Sequence, residues 1–267
     1  MPDVKLIHGD CLDILPTLTE QVDAIITDVP YGSTACKWDI IIPFEPMWEQ
    51  VKRVLKPRGV FVTTASQPFT SLLICSNLEW FKYEYVWHKS MATGGLNANK
   101  QPLRIHENVL VFSDGQGTYN PIMFDYKHPK WKIGEKNKIS KSKFRNKEEN
   151  IYRDVDKRDY IETGKRYPLS AFYCNNKSHN GHTKGVPNSN FHATQKPVAL
   201  YEYLIRTYTN EGDTILDIAA GSGTTGEAAI KTNRNCILIE KEEKYYNIAQ
   251  RRIKDALQQP NLFHGGG

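Results

Sequence analysis

The twenty-seven residues from Thr214 to Glu240 (TILDIAAGSGTTGEAAIKTNRNCILIE) constrain this chain more than any other stretch, because they read as strand, glycine turn, helix and strand. Ile215, Leu216 and Ile218 form a short apolar run that stops at Ala219 and Ala220. Gly221 and Gly223 then permit a sharp turn and a close approach of backbone to ligand. The pattern predicts a helix from about Thr224 to Lys231, with unpaired amides and the positive end of its dipole directed at the turn. The next apolar run, Cys236 to Ile239, ends at Glu240, 23 positions past Asp217, where a carboxylate suits a ribose diol.

Gly221, Gly223 and Gly226 match G-x-G-x-x-G, a spacing shared with nicotinamide-binding turns. The unit begins near residue 214 of 267, which leaves no room downstream for the second mononucleotide half of a dinucleotide site. An adenosine-sized ligand fits better. Asp217 adds a carboxylate suited to an ammonium group, and S-adenosylmethionine carries both a ribose and an ammonium.

Upstream, the chain alternates in the α/β manner. Val4 to His8, Ala24 to Thr27, Gly59 to Thr64, Tyr83 to His88 and Glu107 to Ser113 read as strands. Cys11 to Leu18 is a short helix broken near Pro16, Met47, Val51, Val54 and Leu55 recur at helical spacing, and Pro68 to Asn77 is the next helix. A polar loop, Met91 to Leu103, joins the last two strands. This order predicts an α/β fold with a doubly wound, mostly parallel sheet. No apolar run approaches the roughly 18 residues that a membrane crossing needs, and no secretory signal opens the chain. Cys11, Cys36, Cys75, Cys174 and Cys236 show no C-x-x-C spacing, so the chain reads as cytoplasmic with reduced thiols.

The strand ending at Thr27 runs into Asp28-Val29-Pro30-Tyr31-Gly32. Asp, Pro and Gly are ordinary turn residues, but ligands of open α/β sheets bind beyond the carboxyl ends of strands, where Asp28 projects. A carboxylate, a rigid backbone and an aromatic face together suit an exocyclic amine on a flat base. Asp28 and the Val29 carbonyl each accept one N–H while Tyr31 stacks.

Four stretches now resemble the DNA amino-methyltransferases, which make N6-methyladenine or N4-methylcytosine. Asp28-Val29-Pro30-Tyr31 resembles their catalytic D-P-P-Y, and Leu216 to Thr225 their cofactor loop. His192-Ala193-Thr194-Gln195-Lys196-Pro197 is similar to H-P-T-Q-K-P, and His8-Gly9-Asp10-Cys11 to the segment that cradles the cofactor adenine. The catalytic motif precedes the cofactor loop, as in the permuted β class. Two departures stand out: Val29 replaces a proline but keeps the carbonyl acceptor, and Ile218-Ala219 replaces Pro-Phe. The resemblance implies a Rossmann-like domain using S-adenosylmethionine, with Asp28, Val29, Pro30 and Tyr31 catalytic. It assigns Asp10, Cys11, Thr194, Lys196, Asp217, Ala219, Ala220, Gly221, Ser222, Gly223, Thr224, Thr225 and Glu240 to the cofactor. Thr194 and Lys196 are expected near the cofactor carboxylate, at the N-terminus of a helix carrying Tyr201, Leu204, Ile205 and Tyr208.

The matching halves, residues 1–113 and 190–267, flank a segment of different composition, 114–189. From Lys127 to Arg166 there are 14 Lys or Arg against 7 Asp or Glu, whereas the whole chain carries only +5. Interleaved aromatics (Tyr126, Trp131, Phe144, Tyr152, Tyr160, Tyr167) favour a folded insert with a phosphate-facing surface over a solvated loop. The resemblance makes it the target recognition region, with Lys141, Lys143 and Arg145 on double-stranded DNA. Cys174, His179, His182 and His192 match no four-ligand zinc spacing, and methyl transfer from a sulfonium needs no metal. The last helix, about Glu243 to Leu257, reads as core. The resemblance leaves room for a homodimer, and any paired cleavage calls for a separate restriction endonuclease, since no nuclease motif is evident. Adenine N6 is the favoured target because Asp at the first motif position is more typical of adenine enzymes. N4 of cytosine, an inactive DNA-binding regulator and a nicotinamide oxidoreductase stand as alternatives.

Overall fold

A computed structural model of the 267-residue chain describes residues 1–126, 136–138, 159–161, 163–175 and 195–258. They divide into two compact units, Met1–Asn120 with Ser170–Gly267, and Pro121–Leu169. The first is built on one eight-stranded sheet. Its strands in chain order are β1 (Val4–His8), β2 (Val22–Thr27), β3 (Leu55–Ala65), β4 (Phe81–Thr93) and β5 (Arg104–Ser113), followed after the second unit by β10 (Ala171–Tyr173), β11 (Thr214–Asp217) and β12 (Asn235–Glu240). The second unit holds two short antiparallel pairs, β6 (Phe124–Asp125) with β9 (Lys165–Arg166) and β7 (Lys136–Lys138) with β8 (Asp159–Ile161).

The main sheet runs β1-β12-β11-β2-β3-β5-β4-β10. All its pairings are parallel except β3 with β5 and β5 with β4, so it is mostly parallel as the alternation predicts. Residues 114–120 and 170–175, expected within the insert, pack with the main unit, and β10 extends its sheet beside β4.

Alternation along the buried strands sends neighbouring side chains to opposite faces. Ala24 and Ile26 of β2 join Val60 and Val62 in a core covered by α4 (Val198–Tyr208), α5 (Thr224–Lys231) and α6 (Glu243–Gln258). Ile25 and Phe61 face the other way, against α1 (Cys11–Ile14), α2 (Phe44–Val54) and α3 (Phe69–Ser76). Fully burying one such aliphatic or aromatic side chain contributes about 1.5–3 kcal/mol, so both faces are strongly held. Helices on both faces make the unit a Rossmann-like, doubly wound α/β domain.

Two local readings change. Leu55, expected on the apolar stripe of α2, opens β3 instead. Pro57 restricts Lys56 to extended backbone, and Arg58, with φ of 68°, turns the chain at a register shift between Val22 and Ala24. The β4–β5 hairpin is longer than predicted, because its ladder runs out to Thr93 and Arg104. Among the described residues no helix is long and apolar enough to cross a membrane.

Candidate active site

Strands β2 and β11 lie side by side and parallel, so Asp28 and Asp217 leave the same edge of the sheet. At the end of β11 the turn is built around Asp217. Its carboxylate accepts from Thr27 Oγ1 at 2.7 Å, from the Ala219 amide at 3.0 Å and from the Thr225 hydroxyl. It is 2% exposed, and burial pushes its pKa up to about 6. The side chain that the sequence offers to an ammonium ties the turn to β2 and α5 through these bonds.

The glycines divide the labour. Gly223 has φ of 81°, and a Cβ there would sit 2.9 Å from Ala249 Cβ, while one on Gly226 would sit 2.6 Å from Leu238 Cδ1. Both let α5 and α6 close on the sheet. Gly221, with φ of 54°, faces open space within 4 Å, which makes it the place where a ligand can approach the backbone. Ala219 beside it is also part-exposed, whereas Ala220, Ser222, Thr224 and Thr225 are buried.

Glu240 accepts from the Gly221 amide at 2.6 Å and from the Glu242 amide at 2.8 Å. Burial raises its pKa to about 7, and each oxygen retains a lone pair for a hydroxyl donor. Asp10 caps α1 through the Leu12 amide at 2.9 Å and meets Lys241 Nζ at 2.9 Å, the bond that chiefly holds its carboxyl below the usual range. Cys11 is buried, its thiol pushed up to about 12, so it packs and does not react. The Gly9 amide donates to the Glu240 carbonyl at 3.0 Å and joins this segment to the turn.

Arg252 escaped the sequence reading. From α6 its Nη1 donates to the Ser222 carbonyl at 2.7 Å and to Ser222 Oγ at 3.0 Å, while Nη2 pairs with Glu227 at 2.7 Å. An arginine sharing the apolar stripe of Ala249, Ile253 and Ala256 was the available signal. Tyr246 of the same helix is half-buried, its ring centroid 5.0 Å from that of His8.

At the end of β2, Asp28 sits in a different environment, 24% exposed at its side chain. Tyr31 Oη donates to Asp28 Oδ1 at 2.8 Å, the Thr64 hydroxyl donates to the same oxygen, and Lys196 Nζ donates to Oδ2 at 2.6 Å. The Tyr31 ring stacks on Phe69 with centroids 5.2 Å apart, and Val29 is buried in the core below. Asp39, also missed in the sequence, accepts from the amides of Gly32 at 2.9 Å, Ser33 at 2.9 Å and Thr34 at 2.6 Å. It folds the following loop back on itself and so fixes the path leaving Tyr31.

Lys196 immediately precedes Pro197, the residue that caps α4. The structure brings its ammonium to Asp28 and, at 3.5 Å, to Glu107 Oε2. Burial would strip its proton, but Asp28 and Glu107 outweigh that and raise its pKa. Thr194, Lys141, Lys143, Arg145, His179, His182 and His192 lie outside the described residues, and among the described residues no three His, Cys, Asp or Glu side chains gather as a metal site.

A strand-end acid and aromatic thus lie beside a glycine turn on the neighbouring strand, and comparison with known proteins gives the family. Residues 22–251 match the N6_N4_Mtase family model, described as DNA methylase. The chain belongs to this DNA methylase family. Type II methyltransferase M.HpaI of Haemophilus parainfluenzae is 28% identical, over 94% of this chain and 74% of that one. DNA adenine methyltransferase YhdJ of Escherichia coli is 29% identical, over 93% of this chain and 82% of that one. Among solved structures, the M1.HpyAVI–SAM complex aligns with a TM-score of 0.59 at 23% identity, covering 93% of this chain and 99% of that one. The cytosine-N4-specific PvuII DNA methyltransferase aligns at 0.62 with 16% identity, covering 95% and 91%, which speaks to the fold alone. This DNA methylase, like its family, uses S-adenosylmethionine.

Proposed function

We propose that this DNA methylase transfers a methyl group from S-adenosylmethionine to the N6 amine of adenine in double-stranded DNA, with the target base turned out of the stack. The observation that carries the reading is Asp28, part-exposed at the end of β2 beside Tyr31 and one strand away from the glycine turn. Support for adenine comes from that aspartate at the first motif position and from the relative whose name specifies adenine.

The residues fit the methyl donor. Gly221 leaves its side-chain space open, and Glu240, bonded to the Gly221 amide, keeps acceptor capacity for ribose hydroxyls. When bound, S-adenosylmethionine supplies an electrophilic methyl whose bond to sulfur breaks, its electron pair staying on sulfur, as the bond to the amine nitrogen forms. Asp28 and the Val29 carbonyl hold the amine so that its lone pair turns out of conjugation, and Tyr31 offers a face for the base. Asp28 offsets the positive charge that grows on nitrogen until a proton leaves to solvent. Holding the reactants about 3–3.5 Å apart supplies much of the acceleration. Asp10 and Lys196 belong to the same pocket in this reading, with Lys196 acting at Asp28. Residues 114–189 serve as the target recognition region, where Lys141, Lys143 and Arg145 contact phosphates that position the duplex without specifying sequence. The Type II methyltransferase names of two relatives support a separate endonuclease partner.

The test is digestion of DNA from cells expressing the chain, followed by mass spectrometry of the nucleosides. N6-methyladenine is expected. N4-methylcytosine would overturn the base assignment, and neither product would overturn the enzymatic reading.

A further inference from the structure

Asp28 is crowded. Its Oδ1 takes two hydroxyl donors, Tyr31 and Thr64, so Oδ2 is the oxygen left for a target amine. That oxygen carries the Lys196 ammonium at 2.6 Å. A cation there opposes the reaction in two ways, since it neutralises the carboxylate and repels the positive charge that develops on the amine nitrogen.

The fold supplies a second carboxylate for that cation. Glu107, on β5, lies with Oε2 3.5 Å from Lys196 Nζ and 3.5 Å from Tyr31 Oη. Its other oxygen is anchored by Lys89 of β4, buried and 3.0 Å away. Burial opposes ionisation of Glu107, yet Lys196 and Lys89 together outweigh it and hold the carboxyl below the ordinary value. The acceptor is therefore charged, fixed in place and within a small displacement of an ordinary charge-assisted length of about 2.8 Å.

We infer that Glu107 is a positioning residue that draws Lys196 off Asp28 as the target amine arrives, leaving Asp28 charged and open to the amine. Lys196 moves between two carboxylates and never loses its surroundings of opposite charge. The cost of uncovering Asp28 is thereby kept small, because the ammonium is not returned to an apolar interior. The inference rests on the methyltransferase reading above.

The test is steady-state kinetics of Glu107→Gln, which keeps shape and an oxygen for Lys89 but removes the charge that attracts Lys196. Turnover is expected to fall about 10- to 100-fold with S-adenosylmethionine affinity within about twofold of wild type, a split that general damage to the fold would not give. Adding Lys196→Met to Glu107→Gln removes the stranded cation and is expected to raise turnover about tenfold above the single variant. Glu107→Asp, charged but one methylene shorter, should fall between wild type and Glu107→Gln. Normal turnover in Glu107→Gln, or a double variant no better than the single, would overturn the inference. A wild type that methylates no DNA in the same assay would sink the functional reading and this inference with it. An active wild type beside an unaffected Glu107→Gln would sink this inference alone.

Discussion

Asp28 and Asp217 are the same residue type at the ends of neighbouring parallel strands, yet the structure treats them oppositely. Asp217 is closed, with donors from Thr27, Ala219 and Thr225 and no cation among them. Asp28 is part-exposed and held by one cation and two hydroxyls. Neutral donors alone, two hydroxyls and an amide, make a carboxylate into a fixed corner of the backbone. A long-range cation on a flexible side chain makes one that can change partner. Strand-end position alone therefore does not separate the two acids; the kind of partner does.

The largest effect should come from Asp28→Ala, which removes both acceptor and countercharge. Methyl incorporation is expected to fall roughly 10³-fold, while calorimetry shows S-adenosylmethionine binding within a few fold of wild type, since Glu107 remains to pair Lys196. Near-normal methylation would make Asp28 another structural corner and erase the contrast.

Asp217→Ala should fail differently. It strands two buried hydroxyls and an amide, so about 3 kcal/mol of stability is expected to disappear in denaturant titration, with cofactor binding lost as the turn loosens. Unchanged stability with weakened binding would mean that Asp217 touches the ligand directly.

The closed side of the pair should also carry a pH signature. Asp217 and Glu240 are raised to about 6 and about 7, so the native state binds their protons more tightly than the unfolded chain does. Stability should therefore decline as pH rises from about 4 to about 7, by roughly 3–6 kcal/mol. Glu240→Gln should flatten part of that decline, and an identical slope in the variant would refute the assignment.

Tyr31 gives the finest discrimination. Tyr31→Ala is expected to lower turnover efficiency about 10- to 100-fold through loss of a stacking face worth about 1–3 kcal/mol. From the motif alone the ring face is the group in use, so Tyr31→Phe or Tyr31→Trp would restore much of the loss. The structure corrects that expectation, because the hydroxyl donates to Asp28 at 2.8 Å. Tyr31→Phe should therefore stay active, well above Tyr31→Ala, but run about fivefold below wild type, in line with about 1 kcal/mol for a lost hydrogen bond. Full activity would show that the Thr64 hydroxyl suffices to orient Asp28.

By itself the sequence determined the alternating α/β order, the glycine turn with Glu240 at the following strand end, and the Asp28–Tyr31 turn. These are encoded over short distances: apolar runs of strand length, helical spacing and glycines at fixed offsets act within about thirty residues. It also showed a basic, aromatic-containing segment of distinct composition, although Lys141, Lys143 and Arg145 lie outside the described residues. Only the tertiary structure decided which acids are open. Asp217 is closed by Thr27, 190 positions away, and Asp28 meets Lys196 across 168 positions. Arg252, Glu107 and Lys89 escaped notice because each becomes a buried, paired group only when another element of the fold delivers its partner, whereas Asp39 is pinned by amides of its own loop. Burial and pairing are properties of that assembled neighbourhood, and no spacing along the chain records them.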